Sequence, residues 1–415
     1  MSVLERNFFS DPEILQDPIP YYVALRQLGP VVREPHLGVF MVSGVEEVRE
    51  VYTDHHRFSA IIAPLGPLVK LPEPAEGESL IEVLERRRDE IPLSDTLMTF
   101  DPPKHTRHRA LMGKLFTPNR LKENEEFMWS LADALIDELA DRGETEFCAA
   151  YARPFTLLVI ADLLGVPRDD HKLFRGWLGG AQGNVGDPEG RVGGDVVFAN
   201  LHPYFARYIA ERRASPRDDV MSRLANVRFP DGELPEAMDV VRLATILFAA
   251  GQETTARLIS AGMRILAEQP ALCDELRRDP DAIANFVEEC LRLESPIKGS
   301  FRLALRDTRL AGVEIPAGSM LMAMVGAANR DPRVFDDPDR FDARRSNTRR
   351  NIAFGHAEHF CPGASLARAE ARISFDRLLA RLDDLQLVDA SALSYAPTFV
   401  IRGLNNLPLR YRRRA

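Results

Sequence analysis

The run from residue 235 to 268 does most to limit how this chain can fold. Its apolar residues recur at helical spacing, and as one continuous helix it would be about 50 Å long at 1.5 Å per residue. Between Val240 and Leu258 it is apolar around most of its circumference, which predicts a helix buried at the centre of the fold. Arg242, Glu253 and Arg257 interrupt the pattern and exclude a membrane span. Inside it lies Ala249-Ala250-Gly251-Gln252-Glu253-Thr254-Thr255. Glycine in a helix interior costs roughly 1 kcal/mol relative to alanine, so Gly251 asks for a reason. At about 100° per residue, Leu247, Gly251, Thr254 and Leu258 share one face, with Phe248 and Thr255 at its edge. That face offers a bare backbone and a hydroxyl to a flat ligand and bound water. Glu253, about a third of a turn away, can relay protons from solvent. A packing glycine beside threonines bonded back to helix carbonyls is the competing reading.

A second segment, Phe354-Gly355-His356-Ala357-Glu358-His359-Phe360-Cys361-Pro362-Gly363, ends a glycine-containing loop on one cysteine, just before a long amphipathic pattern. Pro362 suits a first helical position, where its missing N–H has no partner to lose. Helix-start amides favour negative charge, which predicts a thiolate at Cys361. A rigidly held thiolate is what a haem iron needs as an axial ligand, and it favours O–O cleavage. Three other readings compete. Zinc could use His356, His359 and Cys361, but no second cluster of soft ligands accompanies them. A disulfide is disfavoured by sparse usage: Cys148, Cys273, Cys290 and Cys361 in 415 residues. A buried free thiol is the common fate of a lone cysteine.

The net charge of −9 argues against a nucleic-acid partner. The N-terminus is charged within six residues and carries no apolar signal core. No apolar run approaches the roughly 20 residues of a bilayer span, so a cytoplasmic, unanchored protein without a membrane partner is expected. Helical patterns cover 120–141, 149–164, 199–213, 235–268, 281–294 and 364–382, with strand-like runs at 29–43, 301–325 and 385–411. The expectation is a mostly α fold with small segregated β-sheets. The stretches 59–95 and 179–195 are irregular, and the charged run 85–90 reads as a solvated face.

In 281–294, Glu289 with Arg292 (i,i+3) and Glu288 with Arg292 (i,i+4) are equally good pairs by spacing. Within Asp101-Pro102-Pro103-Lys104-His105-Thr106-Arg107-His108-Arg109, His105 and Arg109 share one helical face.

Together these segments resemble the cytochrome P450 family. Its haem loop reads Phe-Gly-x-Gly-x-(His/Arg)-x-Cys-x-Gly, its distal helix (Ala/Gly)-Gly-x-(Asp/Glu)-Thr, and it carries Asp-Pro-Pro-x-His-x-x-x-Arg, Glu-x-x-Arg and Pro-x-Arg-Phe elements. The last is matched by Pro338-Asp339-Arg340-Phe341. One position departs: Ala357 stands at the second glycine of the loop and requires a slightly different conformation there.

The resemblance implies a single domain over residues 1–415 without a fused reductase, and a monooxygenase that inserts one oxygen atom from O2 into an apolar small molecule. It implies haem b on Cys361, with Phe354, Ala250 and Gly251 against the cofactor and His105, Arg109, Arg302 and His359 on its propionates. Thr254 would hydrogen-bond oxygen or its waters, and Glu253 would deliver protons. Glu289, Arg292 and Arg340 would form a structural ion-pair network. The cavity is expected to be lined by Ala244, Leu247, Phe248, Ile297, Phe399 and residues of 60–98. Lys298, at its edge, is expected to reach solvent, with a substrate carboxylate as the other reading. Electrons would come from NAD(P)H through a ferredoxin reductase and an acidic ferredoxin. The ferredoxin would dock near Arg368, Arg372, Lys114 or the cluster Arg344, Arg345, Arg349, Arg350 of a monomeric protein. A peroxide-driven haem-thiolate enzyme and a haem sensor or carrier are the alternatives.

Overall fold

The structure is a computed structural model that describes residues 2–73, 78–113, 116–179 and 194–414. Lys114 and most of the glycine-rich stretch 179–195 lie outside them. The long helix spans Ala237–Glu268 and packs against the helices Arg153–Leu164, Gly194–Ala214, Ile283–Glu294 and Ala364–Arg381. It stops because Pro270 follows: the residue before proline avoids the helical region, and Gln269 sits at φ −130°, ψ 71°. Phe248, Leu258, Ile259 and Leu266 are fully buried along it. Each such side chain contributes about 1.5–3 kcal/mol of transfer free energy, which outweighs the weak helix propensity of the β-branched residues nearby.

The β structure is segregated, as expected. A five-stranded sheet has the order Val31–Arg33, Phe40–Val42, Met320–Ala323, Ser300–Ala304, Phe58–Ser59. Its one parallel pairing sets Met41 opposite Met322. Glu144–Glu146, Pro408–Arg413 and Leu382–Leu387 form a three-stranded sheet. Thr308–Leu310 and Val313–Ile315 form a hairpin whose two turn residues, Ala311 and Gly312, have φ of 48° and 83°, as a type I′ turn requires. Between the sheets and the helices lies a second core containing Phe9, Tyr22, Met41, Phe301 and Phe399. Strand Ser300–Ala304 carries Arg302 from this layer toward the cysteine loop.

The first hundred residues are more helical than their pattern suggested, with Ile19–Leu28, Val45–Thr53 and Leu80–Arg86. The last begins at a capping box in which Ser79 and Glu82 satisfy each other's backbone N–H groups. These helices are too short for periodicity to separate them from loop.

Candidate active site

The loop before Cys361 is held by its own backbone. Gly355 N–H donates to Ile352 O at 2.9 Å, and Cys361 N–H donates to Phe354 O at 2.8 Å. Closing this turn places Gly355 at φ 75° and Ala357 at φ 53°. Ala357 therefore keeps the left-handed conformation that glycine tolerates, instead of avoiding it through a different loop path. The following helix starts at Ala364, two residues later than Pro362 predicted, because Pro362 and Gly363 complete a turn first. Burial pushes the Cys361 thiol above its usual range, and the Gly363 amide, Arg109 and Arg368 only partly offset this. A metal cation held at this sulfur would favour its thiolate form.

Beside the loop, four basic side chains converge, His105 and Arg302 buried, Arg109 and His359 half-buried. His105 and His359 have ring centroids 4.3 Å apart. Nδ1 of His105 and Nε2 of His359 are buried without a hydrogen-bond partner. Burial, helped by Arg109 and Arg302, pushes His105 down to about 4 and His359 to about 2. Arg302 is buried with its guanidinium 4.9 Å from the Tyr52 ring and one bond to Phe301 O. Arg109 donates to Phe360 O at 2.6 Å. Buried donors with unsatisfied nitrogens and lowered basicity call for an anion at this spot. The two propionates of a haem fit that need, as the thiol nearby fits its iron.

On the central helix the structure shifts the expected face. Ala250 is exposed, and Ile246, Ala249 and Thr254 are half-buried, as are Arg242, Gly251, Gln252 and Glu253. Residues 246, 250 and 254 are spaced by four, so they form one stripe. Leu243 and Ile246 line a cavity with Leu97, Phe100 and Leu111. Gly251 lies off this stripe: a Cβ there would meet Ile160 Cδ1 at 3.3 Å, so its bareness serves close approach of helix Arg153–Leu164. Thr254 Oγ1 donates to Ala250 O at 2.9 Å, leaving its oxygen lone pairs free to accept. Glu253 is clamped by Arg257, whose Nη2 and Nε lie 2.5 and 3.2 Å from Glu253 Oε1. Arg257 Nη1 donates to Gly403 O at 3.0 Å.

Several expected pocket residues are committed elsewhere. Phe248 packs on Phe174 at 4.9 Å, and Phe399 on Phe9 at 5.3 Å and Phe301 at 5.9 Å. Ala244 is fully buried, Leu247 nearly so, and Ile297 remains half-buried beside Ile401. Starting the helical wheel from Thr254 and stepping back by fours would have found Ala250 and Ile246. Lys298 does not reach solvent. It is 1% exposed, with Nζ donating to Leu15 O and Thr398 O at 2.7 Å each, and burial holds it well below the usual lysine range.

The ion-pair network forms with a different third member. Glu289 and Arg292 are fully buried and doubly bonded at 2.7 and 2.8 Å. The further cation is Arg345, whose Nε lies 3.2 Å from Glu289 Oε1. Arg340 is exposed and contributes only its carbonyl, which accepts from Arg292 and Arg345. The turns of 336–342 point the Arg340 side chain outward while folding its backbone inward. Glu288 is occupied by Arg368 and Asn351, which settles the choice that spacing left open. Among the supposed docking residues, Arg368, Arg372, Arg344 and Arg345 already hold acidic partners (Glu288, Glu125, Glu275 and Glu289). Arg349 and Arg350 are exposed, as is Phe360 beside the cysteine.

The family model described as Cytochrome P450 matches residues 197–388. The cytochrome P450 monooxygenase PikC of Streptomyces venezuelae is 34% identical over 404 residues, covering 96% of this chain and 92% of that protein. Vitamin D(3) 25-hydroxylase of Pseudonocardia autotrophica is 33% identical over 401 residues, covering 95% and 94%. The substrate-free structure of Mycobacterium marinum cytochrome P450 CYP150A6 is 43% identical, covers 99% of this chain and all of that one, and superposes with a TM-score of 0.92. The chain belongs to the cytochrome P450 family of haem-thiolate monooxygenases. Membership implies a haem cofactor, and no helix among the described residues is long and apolar enough to cross a membrane.

Proposed function

We propose that the protein binds haem b through Cys361 and inserts one oxygen atom from O2 into an apolar small molecule, typically at a C–H bond. Bound haem supplies the oxygen-activating chemistry. Cys361 would be its axial thiolate, and His105, Arg109, Arg302 and His359 would hold its propionates. Phe354 and Ala250 would lie against its two faces. Thr254, already donating to Ala250 O, accepts a proton-bearing partner on the distal side, and Glu253 feeds protons along the helix from the Arg257 end. The apolar stripe of Ile246 and Leu243, facing Leu97 and Phe100, excludes water and selects substrate by shape. Electrons would reach the Cys361 side from NAD(P)H by way of a ferredoxin reductase and a ferredoxin, in a monomer working in the cytoplasm.

One observation carries the reading: a loop thiol beside two arginines and two histidines, each histidine with a buried nitrogen that has no partner, on a chain of this family. The name of the vitamin D(3) hydroxylase supports hydroxylation of an apolar compound. A peroxide-driven enzyme would not need Glu253 and Thr254, which favours O2. The reduced protein under carbon monoxide should show the red-shifted Soret band of a thiolate ligand, and Cys361→Ser should lose it. Turnover with ferredoxin and O2 but not with peroxide is expected. Turnover with peroxide alone, or none with either, would reject the proposal.

A further inference from the structure

Arg242 lies one further turn toward the start of the helix from Ile246, set about 40° round from it at 100° per residue. Arg242 lines the same cavity as Leu97, Phe100, Leu243 and Ile246, together with the polar Asp95, Thr96, His108 and Asp239. Eight residues separate it from Ala250, about 12 Å along the axis. Its partner is Asp95, from the loop before Phe100. The other oxygen of Asp95 takes Lys104 Nζ at 3.1 Å, so one carboxylate bridges two cations from separate helices. Asp239 lies farther from Arg242, at 3.7 Å. His202 also feels Arg242, whose charge adds to burial in lowering the imidazole. The Lys104 ammonium sits 4.1 Å from the ring of Phe100, which lines the cavity.

Two features make Asp95 an exchangeable occupant. Its side chain is 44% exposed, and part-exposed ion pairs are weak. Its loop also carries Leu93 at φ 59°, a left-handed conformation that a leucine side chain disfavours. An internal carboxylate on a strained loop therefore occupies a cation pair of which one member, Arg242, lines the cavity.

We infer that Arg242 and Lys104 receive the carboxylate of an elongated apolar acid, and that Asp95 holds their place until this substrate displaces it. This rests on the reading that the Thr254 stripe faces the reacting end. The acid then lies along the helix, its oxidised carbon about 12 Å from its carboxylate. A substrate carrying an amine would instead be drawn to Asp95 and Asp239.

The test uses the haem-loaded protein and optical titration of the ferric Soret band with straight-chain acids from decanoic to hexadecanoic, their amides, and dodecylamine. Asp95→Asn removes the competitor and should tighten acids about tenfold while leaving amides unchanged. Arg242→Gln should weaken acids by a similar factor, again without change for amides. Unchanged acid-to-amide ratios in both variants, tighter binding of dodecylamine than of the acids, or no acid binding to Asp95→Asn would overturn the inference. The carbon monoxide spectrum of each variant separates these outcomes from failure of the haem-thiolate reading, since neither substitution touches the Cys361 loop.

Discussion

Replacing Arg345 with alanine should destabilise the protein far more than the same change at Arg340, although Arg340 occupies the family motif. Arg345 is buried and makes four hydrogen bonds: to Glu289 Oε1 at 3.2 Å and to the carbonyls of Asp336, Asp337 and Arg340 at 2.5, 3.2 and 3.1 Å. Its loss leaves those carbonyls under-satisfied and Glu289 with Arg292 as its only side-chain cation. Breaking a buried ionic network in this way costs about 3–5 kcal/mol. Arg292 and the Asp342 N–H still hold Glu289, which argues for the lower end, about 3 kcal/mol. Arg340→Ala removes an exposed side chain and keeps the carbonyl that the network uses, so its effect should stay within about 0.5 kcal/mol. Thermal unfolding of the haem-loaded proteins, with the haem-to-protein absorbance ratio after gel filtration, measures both. Equal losses for the two variants, or a larger one for Arg340→Ala, would refute the assignment.

Ala357→Gly should relieve about 1–2 kcal/mol of left-handed strain and lose roughly 0.5–1 kcal/mol to chain entropy, for a small rise in melting temperature. Ala357→Val should lower it, and a fall for glycine contradicts the φ of 53°. A methyl added at Gly403 would lie 2.5 Å from Arg257 Cγ. Gly403→Ala should therefore displace the Glu253 clamp and raise peroxide release per product formed, and unchanged coupling would remove Glu253 from the relay. His105 is held near 4 when folded and titrates at 6.5 when unfolded, so the unfolded chain binds the extra proton between those values. The haem-free protein should lose stability as pH falls from 6.5 toward 4, and His105→Gln should flatten that loss in urea titrations at successive pH values.

The haem-loop cysteine, the central helix and the segregated sheets were legible because each rests on a local signal: a motif, a long periodicity, a run of strand formers. Arg345 was not, because residues 336–345 have no period and turns alone decide which arginine points inward. At Gly251 a helical wheel shows only the bare backbone and not Ile160, a neighbour distant in the chain that packs against it. Lys298 failed for a non-local reason: its two acceptors, Leu15 O and Thr398 O, come from opposite ends of the chain. The Cys361 thiol depends on a balance of burial against nearby charge, which no string of residues displays.

Residues 242, 246, 250 and 254 climb the helix like graduations on a gently wound measuring rod, each about 40° round from the last. Moving the cation from 242 to 246 would shorten the measured span by about 6 Å, whereas inserting a single residue between them would swing the mark about 100° off the scale. Recognition length in such an enzyme changes in whole steps.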